Sequence, residues 1–355
     1  QKGFYGIGAS ATGYSDNLPQ YLRITDIDDY GNVPAILPTC IDINMYTDWK
    51  HYLLRKNDIV FARTGNSTGR NYFCKNISKD TVFAGFLIKF TIDSKLVIPQ
   101  YVGYYCQSQT YWNSVRSLFT GSTRANINAE QYGNLLIPII NKDIQQHIVN
   151  TIGTIDDLIE KYDEIFRILS KQAALLYESI NCGMTTANTI VQSIISIDYG
   201  KDTYFEDSTE CFIFRGTDIN EIKNGKEGNP PLRYIQNNKV KDYLIKPYDI
   251  LIEISGGSPT QSTGRACILS ESFLKSMSKN FGTSGFSRTI RCKNTSNAVS
   301  LYLAIDNAYK KSIFFQYENG SNGIKNLNLT LMLSELFVKK LDTINYKKLK
   351  MLIDE

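Results

Sequence analysis

Tyr52-Leu-Leu-Arg-Lys-Asn-Asp58-Ile-Val-Phe and Tyr243-Leu-Ile-Lys-Pro-Tyr-Asp249-Ile-Leu-Ile are two versions of one block, 191 residues apart. Each reads as a tight turn closed by an aspartate and followed at once by a β-rich apolar run. Upstream, Tyr21-Leu-Arg-Ile-Thr-Asp26-Ile is answered 192 residues later by Phe212-Ile-Phe-Arg215-Gly-Thr-Asp218-Ile. Downstream come Gly65-Asn-Ser-Thr-Gly69-Arg70 against Gly256-Gly to Gly264-Arg265. Gly121-Ser-Thr-Arg-Ala-Asn-Ile-Asn128 is answered by Gly320-Ser-Asn-Gly-Ile-Lys-Asn-Leu-Asn328, at an offset of 200. A near-constant offset over four blocks predicts a duplicated module, so the repeat unit is a whole domain.

Between the copies, Ile148, Ile152, Ile155, Ile159, Tyr162, Phe166, Leu169, Ala173, Leu176 and Ile180 recur in alternating steps of four and three. That is a heptad seam. It predicts one helix over residues 143–181, capped by Asn141 or Asp143 and stopped before Gly183. At ~1.5 Å per residue such a rod is about 57 Å long. Its seam calls for a partner helix, and packing of the rod on a neighbouring domain face is the alternative. A second helix of this kind begins near Thr343-Ile-Asn-Tyr-Lys-Lys-Leu349. The domain plan is therefore residues 1–142 as first module, 143–181 as spacer helix, 182–341 as second module and 342–355 as the start of a second spacer. Residues 182–196 read as a joint. The expected fold class is α+β, with two similar mixed α/β modules joined by a coiled-coil-forming helix.

Within the modules, residues 87–92 and 249–254 read as strands. Residues 101–112 and 301–309 have helical spacing at matching positions. Arg23 beside Asp26 and Arg215 beside Asp218 read as structural ion pairs. Asp58 and Asp249 read as turn-shaping residues.

Composition is that of a folded protein, with 42% hydrophobic and 21% charged residues. No run of eighteen apolar residues predicts a membrane span. Seven scattered cysteines without a Cys-x-x-Cys pair, and two histidines, argue against zinc sites and disulfide frameworks and fit reduced thiols in a cytosolic protein. The net charge of +4 is divided unevenly, for both modules are mildly basic and the rod is acidic. The modules, and not the rod, are thus expected to approach a polyanion.

A scan for catalytic motifs is negative. There is no Gly-x-x-x-x-Gly-Lys-Ser/Thr loop, no His-Glu-x-x-His and no Gly-x-Ser-x-Gly elbow. Asn229-Pro-Pro-Leu232 approaches the Asn-Pro-Pro-aromatic motif of adenine methyltransferases but lacks the aromatic, and reads as a proline-rich turn. What recurs is polar, glycine-rich loops carrying cations. Arg63, Thr64, Asn66, Ser67 and Arg70 match Ser258, Thr260, Gln261 and Arg265 in kind. Ser122, Thr123 and Arg124 match Ser321, Asn322 and Lys325. Arginine and lysine donate to guanine, asparagine and glutamine pair with adenine, and hydroxyls serve bases or phosphates. These fifteen residues are the candidate DNA-binding set.

The ordered blocks resemble the target recognition domain of type I restriction–modification specificity subunits. The likeness rests on Arg-Ile-Thr-Asp-Ile, the Asp-Ile-Val turn, the Gly-rich Arg loop, Asn126-Ile-Asn before Leu-Leu-Ile-Pro-Ile, and Gln145-Gln146-x-Ile-Val leading into the heptads. The resemblance extends over both modules. It implies a non-catalytic subunit without a cofactor that reads a two-part site on double-stranded DNA. It also implies docking of two methyltransferase subunits and a restriction–translocase subunit. The alternative is a single-chain adenine methyltransferase carrying its own recognition domains.

Overall fold

The computed structural model describes residues 2–119, 126–196, 199–240, 243–258, 261–283, 285–320 and 325–354. The chain divides into two compact units, Gln1–Leu158 and Ile159–Glu355.

Among its described residues unit 1 has eight strands: β1 (Phe4–Tyr5), β2 (Thr12–Gly13), β3 (Gln20–Leu22), β4 (Thr39–Cys40), β5 (Asp58–Ala62), β6 (Asn71–Phe73), β7 (Thr81–Phe83) and β8 (Leu87–Thr91). Antiparallel pairings build one sheet in the order β1-β8-β5-β6. A second, β2-β4-β3-β7, contains a parallel β3–β7 pair. Helices α1 (Pro99–Tyr105), α2 (Gln109–Ser117) and α3 (Ala129–Gly133) cover the first sheet. The apolar run of β5 is buried at every position, as expected of a central strand covered on both faces.

Unit 2 repeats this plan. Its strands are β9 (Met184–Thr186), β10 (Val191–Ile195), β11 (Ser208–Phe214), β12 (Leu232–Gln236), β13 (Ile250–Glu253), β14 (Ser255–Gly256), β15 (Ala266–Ile268), β16 (Phe281–Thr283), β17 (Ser287–Cys292), β18 (Glu318–Asn319), β19 (Lys325–Leu327) and β20 (Phe337–Lys339). The order β10-β17-β13-β15 reproduces β1-β8-β5-β6 strand for strand, and the parallel β11–β16 pair reproduces β3–β7. Residues 182–196, expected as a joint, instead supply β9, the short α5 (Ala187–Ile190) and β10, an integral strand of the main sheet.

Local chemistry explains the matched blocks. The Asp58 carboxylate accepts from Arg55 N at 2.8 Å, and Asp249 accepts from Lys246 N at 2.8 Å. Each closes a turn whose third residue, Asn57 or Tyr248, is left-handed at φ 71° or 65°. Each aspartate is then buried against a cation, Lys89 Nζ at 3.3 Å or Arg291 Nη2 at 2.6 Å. Arg23–Asp26 and Arg215–Asp218 form ion pairs of the same geometry, 3.1 Å in both units. Asn128 caps α3 and Asn328 caps α9 (Leu329–Glu335). Short α6 (Ile219–Lys223) and α7 (Glu271–Met277) complete the helices that precede the long α8 of unit 2.

The two helical segments expected to match do so only in position. In unit 2 they form one helix, α8 (Thr295–Lys310). In unit 1 Ser108 accepts from Tyr111 N and starts a new helix, so the segment breaks into α1 and α2.

The heptad segment is one helix, α4 (Lys142–Ser179), 38 residues long, with Asn141 Oδ1 accepting from Asp143 N at 2.7 Å. Its ends pack within their own units. Gln145 and Val149 are buried in unit 1, and Ala173, Tyr177 and Ile180 in the core of unit 2. The middle of the seam is bare, with Ile155 55% and Tyr162 62% exposed. The C-terminal helix α10 (Thr343–Asp354) buries Leu349 against the core of unit 2. Among the described residues no helix is long and apolar enough to cross a membrane.

Candidate nucleic-acid interface

In unit 1 the candidate loop joins two hydrogen-bonded strands, β5 and β6, so its ends are fixed. Gly69 N donates to Ala62 O at 3.0 Å and Ala62 N to Arg70 O at 2.8 Å. Two buried tyrosines clamp this base. Tyr132 Oη accepts from Gly69 N at 3.1 Å and donates to Ala62 O at 2.6 Å, while Tyr111 Oη donates to Gly69 O at 2.8 Å. Burial raises both hydroxyl pKa values, which keeps them neutral donors. The result is a rigid base with an exposed tip at Gly65 and Asn66.

Gly69 sits at φ 95°, and a Cβ there would lie 2.7 Å from Trp112 Cζ3 and 2.8 Å from Val115 Cγ1. Gly69→Ala is expected to cost on the order of 3 kcal/mol through backbone strain and overpacking. A melt of the full chain that leaves unit 1 within about 0.5 kcal/mol of wild type would overturn this account of the clamp.

The arginines of this loop are oriented by neighbours. Arg63 lies over the Tyr5 ring at 5.0 Å, and its Nη2 reaches Asn126 Oδ1 at 3.5 Å. Thr64 bridges to Asn126, which sets that residue alongside the loop. Arg70 pairs with Asp29 at 2.6 Å and donates to Ile27 O at 3.2 Å. Ser67 closes the short 3-10 turn Gly65–Ser67.

Unit 2 builds its loop between β13 and β15 by the same logic with different side chains. Ser258 N donates to Gln261 O at 2.7 Å, and Gln261 Nε2 reaches Tyr309 Oη at 3.2 Å, leaving Gln261 exposed. Arg265 makes a two-pronged bond to Glu253, Nε–Oε2 at 2.9 Å and Nη2–Oε1 at 2.6 Å, which holds its charge firmly. Pairing of β14 with β19 sets Lys325 against this loop. Lys325 pairs with Glu318 at 2.9 Å and lies over Phe315 at 5.0 Å. Burial opposes the Glu318 charge, but Lys325 and the Thr263 donors outweigh it, so its pKa is lowered.

Of the fifteen candidates, Arg63, Thr64, Asn66, Ser67 and Arg70 thus share one loop of unit 1. Ser258, Gln261, Arg265 and Lys325 share one region of unit 2. Ser122, Thr123, Arg124, Thr260, Ser321 and Asn322 lie outside the described residues. Sequence reasoning missed the groups that orient the cations: Tyr5, Asp29, Asn126, Glu253 and Glu318. Strand pairings and bridges bring Tyr5, Asn126, Glu253 and Glu318 to the loops, Asp29 reaches Arg70 from a turn, and no local signal marks any of them. No cluster able to hold a metal ion occurs among the described residues.

Residues 23–168 match the model of the type I restriction modification DNA specificity domain. No curated protein matches the chain. Among solved structures, the chain is similar to the type I restriction-modification system S subunit from M. genitalium. Identity is 16%, coverage 99% of this chain and 86% of that one, and the TM-score 0.50. It is more distantly similar to the HsdS subunit from Thermoanaerobacter tengcongensis, at 12% identity, 98% and 86% coverage and a TM-score of 0.32. Residues 23–168 thus carry a match to the type I restriction modification DNA specificity domain, and the chain as a whole has the fold of a type I S subunit.

Proposed function

We propose that the chain is the DNA-reading subunit of a type I restriction–modification complex and performs no catalysis itself. Unit 1 reads one half of a two-part site on double-stranded DNA and unit 2 the other. The observation that carries this reading is one scaffold built twice, with loops of different length and chemistry on equivalent strands. Asn66 in one loop and Gln261 in the other expose amides able to pair with adenine, and Arg63 offers a guanidinium to guanine or phosphate. Methyltransferase subunits, two by the symmetry of the repeat, and a restriction–translocase subunit supply the chemistry. The acidic α4, with its bare apolar seam, is suited to packing and not to phosphate contact.

The test is the methylation pattern of host DNA with and without this gene, which returns a bipartite site directly. Arg70→Ala and Arg265→Ala are each expected to relax recognition in one half only, by about 1–3 kcal/mol per base pair read. Equal loss in both halves would assign these arginines to folding or to general phosphate contact. A single-chain methyltransferase is the other reading. Binding of S-adenosylmethionine by the isolated chain would favour it, and Asn229–Leu232 would then matter.

A further inference from the structure

Both units carry an exposed phenylalanine at the same point of the scaffold. Phe86 lies in the turn between β7 and β8, where Leu87 N donates to Ala84 O at 2.8 Å, and its carbonyl accepts from Arg63 N at 3.0 Å. Phe286 lies between β16 and β17, and its carbonyl accepts from Ile254 N at 2.8 Å. Arg63 and Ile254 are themselves equivalent. The carbonyl of the first accepts from Ile127 N at 2.9 Å, and that of the second from Leu327 N at 2.8 Å. Each phenylalanine therefore sits at the root of the candidate loop of its unit. Each residue is 60% exposed.

One exposed phenyl group needs no explanation. Two at one scaffold position are different, because a glycine precedes the ring in both turns (Gly85 and Gly285) but the other neighbours have diverged. Arg63 faces Ile254 in the comparison, Leu87 faces Ser287, and Ile88 faces Arg288. Neither ring belongs to a core cluster, and among the described residues neither stacks on another ring. Packing within the fold thus does not account for the retained side chain. The turn is also held in place: in unit 2 Arg288 Nη1 donates to Gly285 O and Ser287 O, both at 2.8 Å, bracing the backbone on either side of Phe286. A rigidly mounted apolar ring at the edge of a polar loop is suited to a surface that is apolar in patches and charged around them. The bases of a DNA groove are such a surface, through thymine methyl groups and the faces of opened base steps.

We infer that Phe86 and Phe286 are base-contacting residues, one for each half of the bipartite site. The inference rests on the DNA-reading role proposed above. It is tested on the full chain assembled with its methyltransferase subunits, using the duplex identified by the methylation pattern. If the wild-type complex modifies no bipartite site, the DNA-reading role fails, whatever the phenylalanines do. If it does, Phe86→Ala should weaken binding by about 5- to 150-fold, the range for losing an aromatic–base contact. The loss should vanish on duplexes scrambled in the half read by unit 1. Phe286→Ala should do the same for the other half, and the leucine variants should recover part of the affinity.

The slope of log Kd against log salt should not change, because a phenyl ring releases no counterions. Uracil in place of thymine distinguishes the two kinds of base contact. If it reproduces the loss, the contact is to a methyl group. If it does not, and 2-aminopurine fluorescence rises with the wild type alone, the ring opens a base step. Unchanged affinity in both alanine variants overturns the inference. So does a loss that is equal on intact and scrambled duplexes, since that marks a purely structural role.

Discussion

Asp249→Ala is expected to destabilise unit 2 by about 3–5 kcal/mol, because it removes a buried carboxylate and strips a mostly buried cation of its partner. The Asp249 side chain is 3% exposed and that of Arg291 14% exposed. Arg291 donates to Asp249 through Nε at 3.0 Å and Nη2 at 2.6 Å, and among the described residues its other acceptor is Leu244 O at 2.7 Å. The same carboxylate closes the turn before β13. One truncation therefore removes a turn bond and leaves a guanidinium largely unpaired in a poorly solvated place. Burial decides the magnitude. Lys275–Glu271, at 75% and 54% exposed, is an ion pair of the kind worth about 0–1 kcal/mol. Lys275→Ala should accordingly be near neutral.

Amide exchange on the full chain checks the prediction, since protection is read strand by strand. Asp249→Ala should lower protection in β13 and β17 while β5 and β8 keep theirs. Asp58→Ala should show the reverse. Loss of protection in both units from either variant would contradict the independence of the two cores. Protection in β13 within about 0.5 kcal/mol of wild type would contradict the value assigned to the buried pair.

The features legible in the sequence are those whose causes are local. The Asp58 and Asp249 turns and the Arg23–Asp26 and Arg215–Asp218 pairs act over a few residues, so their spacing survives in the primary chain, as does the repetition of Asn128 and Asn328, whose capping role the structure adds. Helix α4 was legible as a helix for the same reason. Its buried face was not. Val149 and Gly153 lie one position off the heptad seam and Gln145 lies before it begins, and all three are covered because unit 1 happens to meet that side. Gln145 is fully buried, with its amide held between Ile98 N at 2.9 Å and Ile140 O at 2.7 Å. Heptad spacing reports where apolar side chains fall, whereas burial depends on what the rest of the chain brings up to them.

The cations show the same limit. Arg265 meets Glu253 across the β13–β15 loop and Arg70 meets Asp29 far away in sequence, pairings that only the tertiary fold creates. Arginine in a glycine-rich loop marks a region in which recognition chemistry can be built. It does not say which carboxylate will hold the guanidinium.

Four residues inserted into α4 between Ile155 and Phe166 are expected to lengthen the gap in the recognised site by one to two base pairs and leave both half-site words unchanged. The place is chosen from the burial pattern. Val149 and Gly153 anchor the helix in unit 1, Ala173 and Tyr177 anchor it in unit 2, and the stretch between is exposed, so neither core is disturbed. The magnitude follows from helix geometry. Four residues add ~6 Å of rise and, at ~100° per residue, a net rotation of about 40°. One base pair of DNA advances ~3.4 Å and turns roughly 35°, so the added rotation is matched by one extra base pair and the added length by nearly two. Four residues also leave the apolar stripe on nearly the same face, since positions i and i+4 are neighbours. The methylation pattern of host DNA carrying the variant gene reads gap and words together. An unchanged gap with altered words would show that α4 does not act as the spacer and that the insertion has instead disturbed the modules.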